Sequence, residues 1–439
     1  MGAFVYFIPD VLVAGRVLSL VLGIASLYWV WKLARILYGE RAAGLSLAVF
    51  ALYSLHVGYS TTSSSEVPCV FFVLSGLFFF FYHFHRGTNR LWHLAISGAA
   101  LSIAGSIRYE AWIVVGSLLV ALALLWIQDA RRRERMKSVI ASLVTFGALG
   151  GAWPAVMMTY CWRKFGDPLY LLTATHTRMA LVLATAKPVT YHLALIPSVL
   201  FISLSPLAFV AAIYGIVRSR RDPIPAAFAG VTIFFLAVQS YEILHGGFLA
   251  VARYSMIPGA MLAVISGDGL HQLGEKFLPG RTRLVQATVI AVLVLNLGAV
   301  LGLSEVPSAF ADKFASISPR LRYSTRIAGV GNYLRSHMGP EDAVIIDDYN
   351  VESNIIADAA GLPLSVGQRA YLLSSKNDID VSEYVRREHP RFLVYSDEGA
   401  LRKSLPLPHV CKQPANLQGI EFQCDYANPI YRVYQLSYR

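Results

Sequence analysis

Arg108 and Glu110 stand two residues apart in Gly105–Trp112, GSIRYEAW, with apolar sequence running for about twenty residues on either side. A charge inside or at the rim of a membrane span is costly, so it pairs, faces a wet cavity or does chemistry. Other ionisable groups interrupt apolar sequence in the same way. Glu66 follows TTSSS, Asp167, His176 and Arg178 share one long connection, and His245, Arg253 and Tyr254 lie within HGGFLAVARYSM. Arginine suits a phosphate, because its planar fork matches two phosphate oxygens in parallel bonds. A group leaving from that phosphate needs its charge neutralised, and the acceptor needs a carboxylate to orient or deprotonate it. Glu66 and Glu110 are the candidate catalytic carboxylates. Arg108, Tyr109, Asp167, His176, Arg178, His245, Arg253 and Tyr254 are the candidate substrate-binding residues. Three of them have a plainer reading: Arg108 and Glu110 as an ion pair closing a turn, His245 as a satisfied interfacial histidine.

The elements that must position these residues are set by composition. Of 439 residues 55% are hydrophobic and only 15% charged, which places the chain among polytopic α-helical membrane proteins. Ten apolar segments are long enough, or nearly so, to cross a hydrocarbon core of about 30 Å. They lie near 16–37, 42–59, 67–84, 91–107, 111–128, 139–162, 193–217, 224–244, 255–273 and 284–306. Alternate connections carry sixteen Lys and Arg, among them Arg131, Arg132, Arg133, Arg218, Arg220 and Arg221, against seven on the other side. The basic side is expected to be cytoplasmic. The candidate residues then gather at the opposite, outer face.

Net charge separates two domains. Residues 1–304 carry 23 basic and 11 acidic residues, whereas 305–439 carry 15 and 16. The first is the expected transmembrane domain and the second an extracytoplasmic domain. Basicity confined to loops between spans argues against a nucleic-acid partner. In the tail, 318–338 and 381–390 read as helices, and 343–347, 391–397 and the IYRVYQL stretch as strands, which makes a small α/β domain. Cys411 and Cys424 can close a short loop if the tail faces an oxidising compartment. Cys69 and Cys161 read as buried side chains. No CxxC or HExxH spacing occurs, and nothing in the sequence names a cofactor or a divalent metal. The connection from Arg163 to His192 mixes apolar residues with His176, Arg178 and Lys187, as a re-entrant or surface-lying segment would.

The order ARILYGERAAGLSLAVFALYSLHVGYSTTSSSE (Ala34–Glu66), then RYEAW, FGDPLYLL (Phe165–Leu172) and ARYSMIPGAMLAVISGDGL (Ala252–Leu270) resembles the GT-C membrane glycosyltransferases. The likeness is to the protein O-mannosyltransferase and aminoarabinose-transferase type, over roughly the first 300 residues. It implies a polyprenyl-phosphate-linked sugar donor, a lipid, glycan or protein acceptor, membrane lipids as surroundings, and a bacterial inner membrane with the soluble tail outside. The family's WWDYG motif is absent, which sets the chain apart from the oligosaccharyltransferase branch. The resemblance also implies a first span and an acidic pair in the first outer loop, ahead of a segment like residues 4–37. Neither is present, and Asp10 lies too near that segment to serve. The expectation is a chain shortened at its start, or one lacking the usual acid. Two other functions compete. A transporter or flippase for a lipid-linked molecule predicts internal repeats and polar groups at mid-depth, and neither is found. A non-catalytic relative whose tail binds a partner fits the missing acid.

Overall fold

The computed structural model describes residues 11–85, 90–128, 136–170, 173, 189–245, 252–303, 321–339, 342–347, 356, 360, 370–373, 385–386, 389–396, 401, 405, 407, 411, 414–417, 419–428 and 431–438. His176, Arg178, Lys187 and Asp10 lie outside them. The chain forms two compact units, 1–319 and 320–439.

The first unit is helical: α1 (Val11–Tyr38), α2 (Glu40–Ala51), α3 (Ser54–Ser60), α4 (Glu66–His85), α5 (Trp92–Ile107), α6 (Ala111–Gln128), α7 (Met136–Gly150), α8 (Ala152–Phe165), α9 (Val189–Ser203), α10 (Pro206–Ser219), α11 (Pro223–Leu244), α12 (Met256–Phe277) and α13 (Thr282–Leu303). Each of the ten apolar segments contains α-helix among the described residues, some with a break inside. By length and composition four helices can cross a membrane alone, or up to seven spans form if each bent pair counts as one. The breaks have local causes. At the end of α3, the Gly58 and Tyr59 carbonyls accept from the Thr61 and Thr62 N–H groups and again from the Thr61, Thr62 and Ser64 hydroxyls, which turns the chain toward α4.

Three expected spans are corrected: 42–59 bends by 59° between α2 and α3, 139–162 by 52° between α7 and α8, and 193–217 most sharply. Residues 193–217 do not make a single rod: α9 and α10 meet at a bend of 113°. Ser205 adopts φ 84, its hydroxyl accepts from the Ala208 N–H, and Pro206 opens the next helix. An apolar run therefore continued in sequence across a break in space. The break sits at the level of a short 3-10 turn, Ala252–Ser255: Ser54 bonds the Ser203 carbonyl, and the neighbouring Tyr53 bonds the Ser255 carbonyl at 3.0 Å.

The unit is organised around α12. Fifteen consecutive residues, Met256 to Leu270, are buried, so the helix meets protein on every side. Small residues permit that. A Cβ on Gly267 would run into Ser46 and the Ala42 carbonyl of α2, and one on Gly269 into the Ala211 carbonyl of α10. Ser46 in turn donates to the Val264 carbonyl at 2.8 Å.

The second unit is a helix, α14 (Leu321–His337), and a six-stranded sheet in the order β2-β1-β3-β6-β5-β4. β1 (Val344–Asp347) pairs in parallel with β2 (Ala370–Leu373) and β3 (Phe392–Ser396). β6 (Tyr431–Tyr438) runs antiparallel to β3 and to β5 (Ile420–Ala427), which carries the edge strand β4 (Ala415–Leu417). Both β1 and β3 are buried along their whole length, as short unbroken apolar runs require. Cys411 and Cys424 are joined in a disulfide, with Cα atoms 5.1 Å apart. Of the helix expected over 381–390, Val385 and Arg386 are helical and most of the rest lies outside the described residues.

Because the obstacle at Gly269 is backbone, Gly269→Ala is expected to cost about 1–3 kcal/mol. Gly298→Ala, which enters open space, is expected to leave stability unchanged. Thermal unfolding of the detergent-solubilised chain measures both.

Candidate functional site

Three polar groups meet where α4 begins and α5 ends. Glu66 is the first residue of α4, where the helix's positive end favours a carboxylate. Arg108 leaves α5 in extended backbone, and a three-residue turn leads to α6. The Ala111 and Trp112 N–H groups close that turn onto the Arg108 and Tyr109 carbonyls, and the Trp112 indole donates to Gly105. Two residues apart across this turn, Arg108 and Glu110 point the same way.

The geometry is a shared fork. Arg108 Nη1 donates to Glu66 Oε1 at 2.6 Å, while Nη2 and Nε donate to Glu110 Oε1 at 2.5 and 3.1 Å. Nη1 also reaches the Ser65 hydroxyl at 3.2 Å. Arg253 joins from the 3-10 turn, its Nε 3.9 Å from Glu66 Oε1. The Tyr254 ring lies beneath both guanidinium groups, 5.3 Å from Arg108 and 5.4 Å from Arg253. Tyr109 bonds Tyr254 through their hydroxyls. Two arginines thus face two carboxylates, and the set is neutral as a whole.

Exposure separates their roles. The side chains of Glu66, Glu110 and Arg108 are 6%, 4% and 13% exposed, but that of Arg253 is 43% exposed. Arg253 is the most exposed charge of the four. Burial alone would lower the Arg108 guanidinium; Glu110 and then Glu66 outweigh it and hold the group above its ordinary value. Burial likewise pushes the Tyr109 phenol up, with Tyr254 and Glu110 adding to the effect. Glu110 Oε2 is buried and has no hydrogen-bond partner among the described residues. No three His, Cys, Asp or Glu of the described residues gather as metal ligands would.

Other candidates stand elsewhere. Asp167 caps its own turn, accepting from Leu169 N at 2.8 Å and Thr173 Oγ1 at 3.2 Å. His245 ends α11, with Nδ1 2.8 Å from the Tyr241 carbonyl and its ring stacked on Tyr241. The structure thus brings Glu66, Arg108, Tyr109, Glu110, Arg253 and Tyr254 together, and gives Asp167 and His245 local partners instead. Two contributors escaped the sequence reading. Ser65 shares Arg108, and Gln239, fully buried in α11, donates to the Tyr254 carbonyl at 2.6 Å and so sets the 3-10 turn. A lone amide in FFLAVQSYEIL was the signal for the second.

Comparison with known proteins follows this geometry. Residues 2–158 match the family model for dolichyl-phosphate-mannose-protein mannosyltransferase. Among solved structures, ArnT from Cupriavidus metallidurans in the apo state superposes with a TM-score of 0.57 at 11% identity, over 95% of this chain and 83% of that one. The same enzyme bound to undecaprenyl phosphate gives 0.57 at 12% identity, over 96% and 83%. The Archaeoglobus fulgidus oligosaccharyltransferase in its apo form gives 0.48 at 13% identity over 88% of this chain, which spans 59% of that protein's length. No curated protein matches the chain by sequence. At these identities the structural likeness is one of fold.

Removing Arg108 strands two buried carboxylates against each other. Arg108→Ala is therefore expected to cost about 3–5 kcal/mol, whereas the half-exposed Arg253→Ala is expected to cost about 1 kcal/mol or less. Thermal unfolding in detergent compares the two, and equal losses would contradict the division of roles.

Proposed function

The resemblance to GT-C membrane glycosyltransferases is the premise here, and from it we propose that the chain moves a sugar from a polyprenyl-phosphate donor to an acceptor hydroxyl at the outer membrane face. The observation that carries the reading is the half-exposed Arg253 beside a buried Glu66–Arg108–Glu110 network. A lipid-linked phosphodiester is the ligand such an arginine suits: one negative charge, held at membrane depth, with oxygens that match a guanidinium.

In the transfer, the bond between the sugar's anomeric carbon and the donor phosphate oxygen breaks, and a bond from that carbon to the acceptor oxygen forms. Polyprenyl phosphate leaves with an added negative charge, which Arg253 neutralises at short range. The acceptor's proton goes to a carboxylate, and Glu66, which touches both arginines, is the candidate among the described residues. Glu110 is the anchor that keeps Arg108 turned toward Glu66. The undecaprenyl phosphate bound to ArnT supports the choice of donor. The Cys411–Cys424 disulfide supports an oxidising compartment for the tail, and so the outer face for the domain that follows α13.

Arg108 holding both candidate carboxylates also fits a non-catalytic relative, and one assay separates the two. Membranes carrying the full-length protein are given a radiolabelled polyprenyl-phosphate sugar. Transfer of label is the expected result, and donor left unchanged argues for the non-catalytic reading. With transfer established, Arg253→Ala is expected to lower kcat/KM for the donor by about 10²-fold; kinetics like the wild type's would remove Arg253 from the site.

A further inference from the structure

The far ends of two helices that serve the ion network carry a second feature. α6 starts at the Arg108–Glu110 turn, and α11 ends near Gln239, which fixes Tyr254. Away from these ends, α6 and α11 leave between them a cavity of about 320 Å³. Its walls are apolar, among them Val120, Leu124, Ala227, Gly230 and Phe234, with Ser117 as the one polar side chain. Val120, Leu124 and Phe234 are each about half exposed, so the cavity opens sideways, toward whatever surrounds the bundle.

Its lower end is marked by charge. Pro223 lines the cavity, and Arg220 and Arg221 precede it by three and two residues, both exposed. The neighbouring Asp222 spends its Oδ1 on the Ile224 N–H as the α11 cap, which directs that carboxylate inward to the helix. With a rise of about 1.5 Å per residue, the 22 residues of α11 span about 33 Å, close to the thickness of a hydrocarbon core. Arg220 and Arg221 thus fall at headgroup depth on the face opposite the ion network, directly beside an apolar slot.

From this juxtaposition we propose that the α6/α11 cavity holds an acyl chain of an anionic glycerophospholipid whose headgroup phosphate sits at Arg220 and Arg221. Charge complementarity selects that occupant. A zwitterionic lipid or a detergent tail fills the slot equally well but gains less from two exposed arginines. A second copy of the chain has no use for the cations at its mouth. The site is separate from the donor's, since its phosphate lies at the other end of the same helices, and the proposal does not depend on the transfer reaction.

Gly230 makes the test clean. A Cβ there meets no atom within 4 Å, and Gly230 lines the slot, so Gly230→Leu directs its side chain into the cavity. The full chain is purified in mild detergent and incubated with phosphatidylglycerol, phosphatidylcholine or undecaprenyl phosphate, and bound lipid is counted by native mass spectrometry. The expected result is at least a tenfold preference for phosphatidylglycerol over phosphatidylcholine. Gly230→Leu is expected to lose the adduct while its melting temperature without lipid stays that of the wild type. Arg220→Gln with Arg221→Gln is expected to keep lipid binding but lose the preference. Equal binding of both phospholipids, an undiminished adduct in Gly230→Leu, or displacement of phosphatidylglycerol by undecaprenyl phosphate would each overturn the proposal.

Discussion

The site depends on one guanidinium shared between two buried carboxylates. Arg108 binds Glu66 and Glu110 through separate edges of its fork, and desolvation makes each of these three groups expensive unless the other two are present. The consequence is geometric. Glu66 opens α4, Glu110 opens α6, and Arg253 arrives on the turn before α12, so one charge set fixes the ends of three distant segments. What the network loses in solvation it returns as a defined position for the single cation left half in the open.

Below that level the bundle is held by close backbone approach. α12 is surrounded on all sides, with Gly267 against α2 and Gly269 against α10. Between helices immersed in lipid the hydrophobic effect offers little, because lipid is as apolar as leucine, and packing of small residues does the work. That rigidity reaches the site directly. Arg253 and Tyr254 are the residues that lead into α12, and their turn is tied to Tyr53 and Gln239 by hydrogen bonds to the Ser255 and Tyr254 carbonyls.

Charge in apolar sequence was the most legible signal. Glu66, the Arg108–Glu110 turn and Arg253 are far apart in the chain, yet topology alone brought them to one level, and the structure puts them in contact. Polarity was a poorer guide where a side chain could satisfy itself locally: Asp167 caps a turn and His245 folds back on Tyr241, and neither act is visible in residue type. The strands β1, β3 and β6 were readable from unbroken or alternating apolar residues. The hairpin partner β5 went unread although Ile420, Phe422, Cys424 and Tyr426 alternate with Glu421, Gln423 and Asp425, which is the pattern of a half-buried strand. The α9–α10 break hid for the opposite reason: both helices are apolar, and SLSP was the only mark of a strained serine and a helix start.

That break bears on the site. Beyond the bend of 113° the two halves of one apolar run serve different neighbours: α9 packs against the 252–255 turn, and α10 lies along α12. The helix that ends at this serine turn thus packs against the turn carrying Arg253, so an apolar break with no charge of its own helps to place the most exposed cation of the set.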